Sequence, residues 1–181
     1  MDIHSNAALL IIDMQKGSFT SKTPRYDTEG TVMRINKLAQ IFRKRGLPVI
    51  FIQHDGTREN EFLPSSKAWE LLDGLIKTSD DIYIDKYAND PFYKSNLGSM
   101  LKELDVEELY ITGCATDFCV ESTIQSALAK DYNTVVVADA HTTGNRPHMK
   151  ADKVIEHYNW VWQNMIPTKG KVEVKELKEL I

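Results

Sequence analysis

The chain has 181 residues, of which 42% are hydrophobic and 27% are charged, and its formal net charge at pH 7 is −4. This composition is typical of one globular domain over residues 1–181, and the acidic balance argues against a general nucleic-acid binder, because phosphate binding needs a basic surface. The start of the chain lacks the basic region and long apolar stretch of a signal peptide. No apolar run reaches the roughly 18 residues needed to span a membrane. We therefore expect a cytoplasmic protein.

Five apolar runs predict buried β-strands, at residues 7–12, 47–52, 81–85, 109–112 and 134–138. Val172 and Val174 indicate a short sixth strand. The spacing of apolar residues predicts helices over residues 29–45, 93–104 and 148–162, and a further helix that begins at Cys119. Residues 56–79 contain many apolar side chains without a clear period, so they predict a packed segment with one short helix.

Strands alternate with helices along the chain, which favours an α/β fold with a parallel sheet covered on both faces. Such sheets place their functional sites at the carboxyl ends of the strands. The residues at those ends are Asp13, His54, Lys86, the loop at residues 113–119 and Asp139. The sequence therefore predicts that an acid, a base and a thiol from distant parts of the chain lie close together.

The two cysteines, Cys114 and Cys119, are too few for a disulfide framework or a structural zinc site. Their spacing also differs from the CxxC of thioredoxin-like redox proteins. Cys119 is expected at the start of a helix, where backbone N–H groups and the helix dipole favour a thiolate. It is a candidate nucleophile, although a small residue packed beneath a helix would produce the same pattern.

Asp13, Lys86 and Cys119 together suit acyl transfer from an amide to a cysteine. A carboxylate at Asp13 could accept the thiol proton and return it to a leaving amine, while an ammonium at Lys86 would favour the thiolate. Backbone N–H groups of the turn could stabilise a tetrahedral oxyanion. Spacing alone leaves a second interpretation open, a buried Asp–Lys ion pair beside an inert thiol.

Three segments, ALLIIDMQ, DKYANDPFYKSNL and ITGCATDFCVESTIQSALAKDYNTVVVADAHTT, resemble the isochorismatase-like cysteine hydrolase superfamily. This group includes nicotinamidases, carbamoyl-amide hydrolases and isochorismatases, and the resemblance covers residues 7–162. It implies a Rossmann-like, three-layer fold with a six-stranded, mostly parallel sheet flanked by helices. It also implies an Asp–Lys–Cys triad of Asp13, Lys86 and Cys119, and assembly into a homo-oligomer, a dimer or a tetramer.

The resemblance further implies a non-proline cis peptide bond between Cys114 and Ala115. That geometry would turn the Ala115 N–H toward the oxyanion, beside the N–H of Cys119. These two backbone groups are therefore the candidate oxyanion hole. Cys114 would shape the backbone and would not be a second nucleophile.

The chain departs from the metal-dependent nicotinamidases after its second strand. Those enzymes carry a DxHxxxH-like metal motif, whereas this chain reads QHDGTRENEFLPSSKAW, with His54 and Asp55 but no following histidine pair. Catalytic zinc usually has three protein ligands. We therefore expect neither a metal nor another cofactor, and we assign His54 to the pocket wall.

Further residues are candidates for the substrate pocket and its supports. Phe19 and Tyr26, in the loop after Asp13, and Phe118, next to the nucleophile, are aromatic side chains that could contact a planar substrate. The side chains of Thr116 and Asp117 are expected to cap the helix that starts at the nucleophile.

The polar and aromatic residues in the last third of the chain are expected to serve packing more than catalysis. Asp139 is expected to bond to the HTTG loop that follows it, and the terminal KVEVKELKELI to form a solvated edge. Tyr158, Trp160 and Trp162 indicate either internal packing or an oligomer interface, and His157 a core or interface histidine.

Together these features favour a hydrolase that cleaves a C–N bond of a small amide or carbamoyl compound through a thioester on Cys119. Three alternatives remain open: a vinyl-ether hydrolase of the isochorismatase type with Asp13 as general acid, a metal-dependent nicotinamidase, and a non-catalytic protein with Cys119 as a sensor thiol. The expected partner is a small-molecule substrate, with neither nucleic acid nor membrane involved.

Overall fold

A computed structural model describes residues 3–181 of the chain as a parallel sheet flanked by helices. The sheet has six strands in the order β3-β2-β1-β4-β5-β6, and each neighbouring pair is parallel. The strands are β1 (Ala7–Ile12), β2 (Val49–His54), β3 (Ile82–Lys86), β4 (Glu108–Cys114), β5 (Asn133–Thr142) and β6 (Val172–Lys175).

Five α-helices connect or follow these strands: α1 (Thr28–Lys44), α2 (Leu97–Glu103), α3 (Glu121–Ala129), α4 (Ala151–Gln163) and α5 (Leu177–Leu180). Helix α1 forms because Ile35, Leu38, Ala39 and Phe42 recur at helical spacing, so that one face is fully buried. Short 3₁₀ turns occupy Lys16–Ser18 and Thr57–Glu59, and a single π-helical turn, Thr116–Val120, precedes α3. No helix in the described part of the chain is long and apolar enough to cross a membrane.

Two hydrophobic clusters lie on opposite faces of the sheet. Leu9 and Ile11 of β1 point into the cluster formed with α1 and α5, whereas Leu10 and Ile12 point into the cluster formed with α2, α3 and α4. This alternation follows from the strand period of two, and each fully buried Leu or Ile side chain contributes about 1.5–3 kcal/mol. The three-layer α/β architecture predicted from the sequence is confirmed.

The end of the chain confirms the predicted sixth strand but is less solvated than predicted. Val172–Lys175 pairs with β5, and Leu177 and Leu180 of α5 are buried in the core on the α1 face. Asp139 lies within β5 and not after it, and its Oδ1 accepts a hydrogen bond from the Leu177 N–H at 2.9 Å. Asp139 therefore anchors the terminal helix, and the prediction that it bonds to the HTTG loop was wrong.

One short helix was predicted within residues 56–79, and the structure has a single 3₁₀ turn there, Thr57–Glu59, and no α-helix. Leu71 and Leu75 are nevertheless buried against α1, so the segment packs as expected. The side chain of Gln15 secures it, because its amide donates to the carbonyls of both His54 and Trp69. This loop therefore lies across the carboxyl ends of β1 and β2.

Candidate active site

The strand order places the chemistry-bearing residues around β1. The chain runs from β1 to β2 and β3 on one side and then returns to β4 on the other side of β1. Asp13 directly follows β1, Lys86 is the last residue of β3, and Cys119 lies in the turn after β4. Parallel sheets bind ligands at such a reversal of strand order.

Lys86 joins the other two side chains. It is completely buried, and its Nζ lies 2.8 Å from Asp13 Oδ2, 3.3 Å from Cys119 Sγ and 2.9 Å from the Ala88 carbonyl oxygen. These contacts use all three donors of an ammonium group. Burial alone would lower the pKa of Lys86, but the neighbouring Asp13 and Cys119 outweigh it and the pKa is raised. Lys86 is therefore a fixed positive charge.

Asp13 has an unusual backbone and one free oxygen. Its φ of 46° lies in the left-handed region, which Asp tolerates better than most residues, and its N–H donates to the Ile52 carbonyl at 2.9 Å. The side chain is 8% exposed, and Oδ1 has no hydrogen-bond partner within residues 3–181. One carboxylate oxygen thus faces Lys86 while the other is available to accept a proton.

The surroundings of Cys119 shift its ionisation toward the thiol. Burial raises the pKa of Cys119, the Asp13 carboxylate raises it further, and the Lys86 ammonium offsets only part of the shift. Lys86 favours the thiolate, as expected, but burial and Asp13 outweigh it, and the prediction that a helix begins at Cys119 was wrong. Helix α3 begins only at Glu121, so Cys119 lies in the preceding π-helical turn and not at the first residues of the helix.

The backbone before Cys119 has two special positions. Gly113 has a φ of 119°, and a Cβ there would lie 2.2 Å from the Ile12 carbonyl oxygen, so only glycine fits beside β1. The next peptide bond, between Cys114 and Ala115, is cis, at the position that the family resemblance implies. Cys114 itself is fully buried, and burial raises its pKa to about 12.

The side chains of Thr116 and Asp117 do not cap α3, contrary to the prediction. Thr116 Oγ1 lies 2.9 Å from His141 Nδ1 instead. Asp117 accepts hydrogen bonds from Arg146 Nε at 2.6 Å and from Thr143 Oγ1 at 2.7 Å, and this pairing lowers its pKa although burial opposes the shift. Both residues therefore hold the turn against the end of β5 and the loop after it.

The aromatic pocket candidates occupy different environments. Phe19 packs against the core cluster on the α1 face of the sheet. Tyr26 is 53% exposed, and its N–H donates to the Thr143 carbonyl at 2.9 Å. Phe118 is 51% exposed, and the Arg146 guanidinium lies 5.1 Å from the centre of its ring. Tyr26 and Phe118 thus remain accessible beside the loop after β5.

The region around His54 does not form a metal site. His54 ends β2 beside Lys86, its Nδ1 has no hydrogen-bond partner within residues 3–181, and its Nε2 lies 3.9 Å from Glu59 Oε2. Asp55 Oδ1 instead accepts hydrogen bonds from the backbone and hydroxyl of Thr57. No cluster of three or more His, Cys, Asp or Glu residues suited to a metal occurs among residues 3–181. The donor set of a metal-dependent nicotinamidase does not fit here.

Sequence reasoning missed several residues of the site. Asn89 Oδ1 lies 3.5 Å from Cys119 Sγ, and the Ala88 carbonyl binds Lys86. Both lie in the DKYANDPF segment just after β3, so examining more than the first polar residue after each strand would have found them. His141 lies inside β5, within the VVVADAHTT stretch that resembles the family, but that stretch does not predict the contacts of its ring.

The chain is similar to several known proteins. The isochorismatase domain model matches residues 7–164. An uncharacterized isochorismatase family protein, YddQ of Bacillus subtilis, is 30% identical over 139 residues, covering 75% of this chain and 77% of that protein. The ureidoacrylate amidohydrolase RutB of Pseudomonas syringae pv. syringae is 29% identical over 175 residues, covering 76% of this chain and 71% of that enzyme.

Among solved structures, the crystal structure of an isochorismatase from Pseudomonas putida KT2440 superimposes with a TM-score of 0.89 at 26% identity, covering 98% of this chain and 91% of that one. The family model covers most of the sheet and the helices around it, including all three residues of the Asp13, Lys86 and Cys119 cluster. The chain therefore belongs to the isochorismatase family of hydrolases.

Proposed function

We propose that the chain is a cysteine-dependent amidohydrolase that cleaves a non-peptide C–N bond of a small amide or carbamoyl compound through a thioester. The observation that carries the proposal is the Lys86 ammonium between Asp13 Oδ2 and Cys119 Sγ, at 2.8 and 3.3 Å. A fixed positive charge touching both an acid and a thiol supports chemistry in which a proton moves from one to the other.

In the proposed first half-reaction, Asp13 accepts the proton of the Cys119 thiol as the sulfur attacks the carbonyl carbon. The raised pKa of Cys119 fits a thiol that ionises only on attack, and the free Oδ1 of Asp13 is a suitable acceptor. The C–N bond then breaks, and Asp13 gives the proton to the departing nitrogen. Ammonia or an amine leaves, and the acyl group remains on sulfur as a thioester.

In the proposed second half-reaction, Asp13 takes a proton from water as the water oxygen attacks the thioester carbon. The C–S bond breaks, the acid is released, and the proton returns to the Cys119 sulfur. The N–H groups of Ala115 and Cys119 are the proposed donors to the oxyanion in both steps, because such donors act on the charge that develops in the transition state. Lys86 limits the accumulation of negative charge throughout.

Two lines of support favour this chemistry over its alternatives. One relative, RutB, is named as an amidohydrolase, and this chain matches it over 71% of its length. A sensor thiol needs no acid to carry its proton, whereas here Lys86 contacts both the Asp13 carboxylate and the Cys119 sulfur. Together they support hydrolysis at an amide carbon with Cys119 as nucleophile.

The test is release of ammonia from nicotinamide, acetamide and N-carbamoylglycine by the wild type, Cys119→Ala and Asp13→Asn, each with and without a chelator. We expect release that survives chelation and falls by about 10³-fold or more in both variants. Unchanged release by Cys119→Ala would overturn the thioester mechanism.

An assay with isochorismate, run in parallel, distinguishes the vinyl-ether alternative from amide hydrolysis. If that compound is the substrate, Cys119→Ala will lower the rate only slightly and Asp13→Asn will lower it severely, because only the acid is then needed. Thermal melting of each variant verifies that it is folded before its activity is compared.

We also propose that the protein self-associates and works in a reducing compartment such as the cytoplasm. Trp162 is buried within the chain, but Trp160 on the same helix is 66% exposed and is available to a second copy. Both cysteines are free thiols, and the proposed nucleophile must remain reduced. Sedimentation of the wild type and of Trp160→Ala tests the association, with a lower mass expected for the variant.

A further inference from the structure

Hydrogen bonds connect helix α4 to residues that precede and follow Cys119 in the chain. On the early side, Thr116 Oγ1 contacts His141 Nδ1, and His141 Nε2 contacts Asn159 Oδ1 of α4, each at 2.9 Å. On the late side, Trp162 of α4 donates from Nε1 to the Glu121 carboxylate at the first residue of α3. Thr116 and Glu121 thus bracket the nucleophile turn, Thr116–Val120.

We infer that His141 is a positioning residue that, through Thr116, holds the nucleophile turn and the proposed oxyanion donor Ala115 in place. The inference rests on the proposed function, since it concerns the same site, but nothing in the resemblance or the comparisons assigns a role to His141. His141 does not touch the reacting atoms. It acts only by fixing Thr116, the residue that follows Ala115 in the turn.

The hydrogen-bond pattern determines which nitrogen of His141 carries the proton. Asn159 Nδ2 donates to the Ala138 carbonyl at 3.0 Å, so its Oδ1 is the atom that faces His141 Nε2. Nε2 must therefore carry the hydrogen, and Nδ1 presents a lone pair to the Thr116 hydroxyl. Every hydrogen then points the same way, from Thr116 through His141 and Asn159 to Ala138.

Burial makes this chain of hydrogen bonds difficult to replace. His141 is 2% exposed and Thr116 is completely buried, so bulk water does not reach either side chain. The Trp162 and His141 rings pack nearly at right angles, with 5.2 Å between centroids. Burial lowers the pKa of His141 to about 4, so the ring stays neutral at physiological pH and Nδ1 keeps its lone pair. A missing hydroxyl at Thr116 would leave that lone pair unpaired, and the turn would relax.

The matched variants are Thr116→Val, which keeps the shape but removes the hydroxyl, and Thr116→Ser, which keeps the hydroxyl. The probe is p-nitrophenyl acetate, whose acyl transfer to Cys119 releases p-nitrophenolate, with Cys119→Ala as the background control. We expect Thr116→Val to lower kcat by about 10- to 100-fold with little change in KM, as a small displacement of the reacting groups can do. Thr116→Ser should stay close to the wild type.

A second variant, Asn159→Leu, removes the partner of His141 Nε2 from a half-buried position on α4. It should also lower kcat, and the double variant with Thr116→Val should be no slower than Thr116→Val alone, because the same chain is already broken. All rates are measured well below the melting temperature of each variant. A purely structural role would lower the melting temperature and leave kcat intact.

The outcomes separate the two proposals. If Cys119→Ala releases p-nitrophenolate as fast as the wild type, the thioester mechanism fails. If Cys119→Ala is inactive but Thr116→Val has the same kcat as Thr116→Ser, the role of His141 is overturned while the mechanism stands. The same conclusion follows if the reductions in kcat caused by Thr116→Val and Asn159→Leu multiply in the double variant. If Thr116→Val does not fold, the kcat of Asn159→Leu is compared with that of the wild type instead. An unchanged kcat in Asn159→Leu overturns the inference.

Discussion

Lys86 and Asp13 form a buried ion pair, with 2.8 Å between Nζ and Oδ2 and side chains that are 0% and 8% exposed. Replacing Lys86 by Met keeps the length of the side chain but leaves the Asp13 charge without its partner. We expect the free energy of unfolding at pH 7 to fall by about 3–5 kcal/mol, the usual result of breaking a buried pair. Denaturant titration followed by circular dichroism measures it.

The matched control is Lys16→Met. Lys16 pairs with Glu70 and Asp73 at 2.7 Å each, but those two carboxylates are open to solvent. We expect little change in stability. An equally small change for Lys86→Met would show that the buried pair contributes nothing to the fold.

Asp13 raises the pKa of Cys119, whereas Lys86 lowers it. Asp13→Asn removes only the first influence, so the thiolate population at pH 7 should increase even though hydrolysis is lost. Iodoacetamide should therefore alkylate Cys119 faster in Asp13→Asn than in the wild type at pH 7. Mass spectrometry over pH 6–10 gives the rates, with Cys119→Ala as the control for reaction at Cys114. Slower alkylation in Asp13→Asn would contradict this account of the site.

The fold and the chemistry-bearing residues could be predicted because both follow from local patterns. The apolar run before Asp13 is long enough for a buried strand, and its sudden end at an acid places Asp13 at the edge of the sheet. The start of α3 could not be placed, because the helical period of Ile124, Ala127 and Leu128 says nothing about a π-helical turn before it. The two leucines of α5 are too few to show a period, so the terminal segment read as solvated.

The contacts of the site were beyond sequence reasoning for a different reason. Thr116 and Asp117 match the residue types of a helix cap, but each finds a better partner far along the chain. His141 and Arg146 are those partners, and only the tertiary structure brings them to the turn. Side-chain hydrogen bonds between distant segments leave no periodic signal, and the role inferred for His141 depends on such bonds.

Protonation of His141 should destabilise the fold. Its pKa is about 4 in the folded chain and about 6.5 when unfolded, so the unfolded state takes up the proton first as the pH falls. Stability is thus lost as pH falls from about 6.5 toward 4, and this residue alone accounts for about 2 kcal/mol between pH 7.5 and 5. Urea titrations of the wild type at both pH values measure the change.

Two variants separate this effect from the titration of carboxylates. His141→Gln should be less stable at pH 7.5, but its loss of stability on going to pH 5 should be smaller than that of the wild type. His157→Gln, at an exposed position on α4, is the control for replacing a histidine at the surface. An identical pH dependence in His141→Gln would contradict the assignment.

Gly113 and Gly46 form a matched pair of left-handed glycines. A Cβ at Gly113 would meet the Ile12 carbonyl oxygen at 2.2 Å, whereas a Cβ at Gly46 would have no heavy atom within 4 Å. Gly46→Ala should therefore cost only about 1–2 kcal/mol, the penalty of the backbone conformation itself. Gly113→Ala should cost more than about 4 kcal/mol or yield no folded protein. Similar melting temperatures for the two variants would argue against the close contact of β1 with β4.

The pairing of β1 with β4, from Ala7 with Glu108 to Ile12 with Gly113, joins two stretches of chain that each hold part of the chemistry. Asp13 and Lys86 precede the loop between β3 and α2, and Cys119 follows it. A chain cut in that loop would give two fragments, one with the acid and the ammonium and the other with the thiol. Neither fragment alone would hold the whole proposed site, and activity on mixing them would report directly that the two central strands had paired. The protein could thus serve as a split reporter, with its own turnover as the signal of assembly.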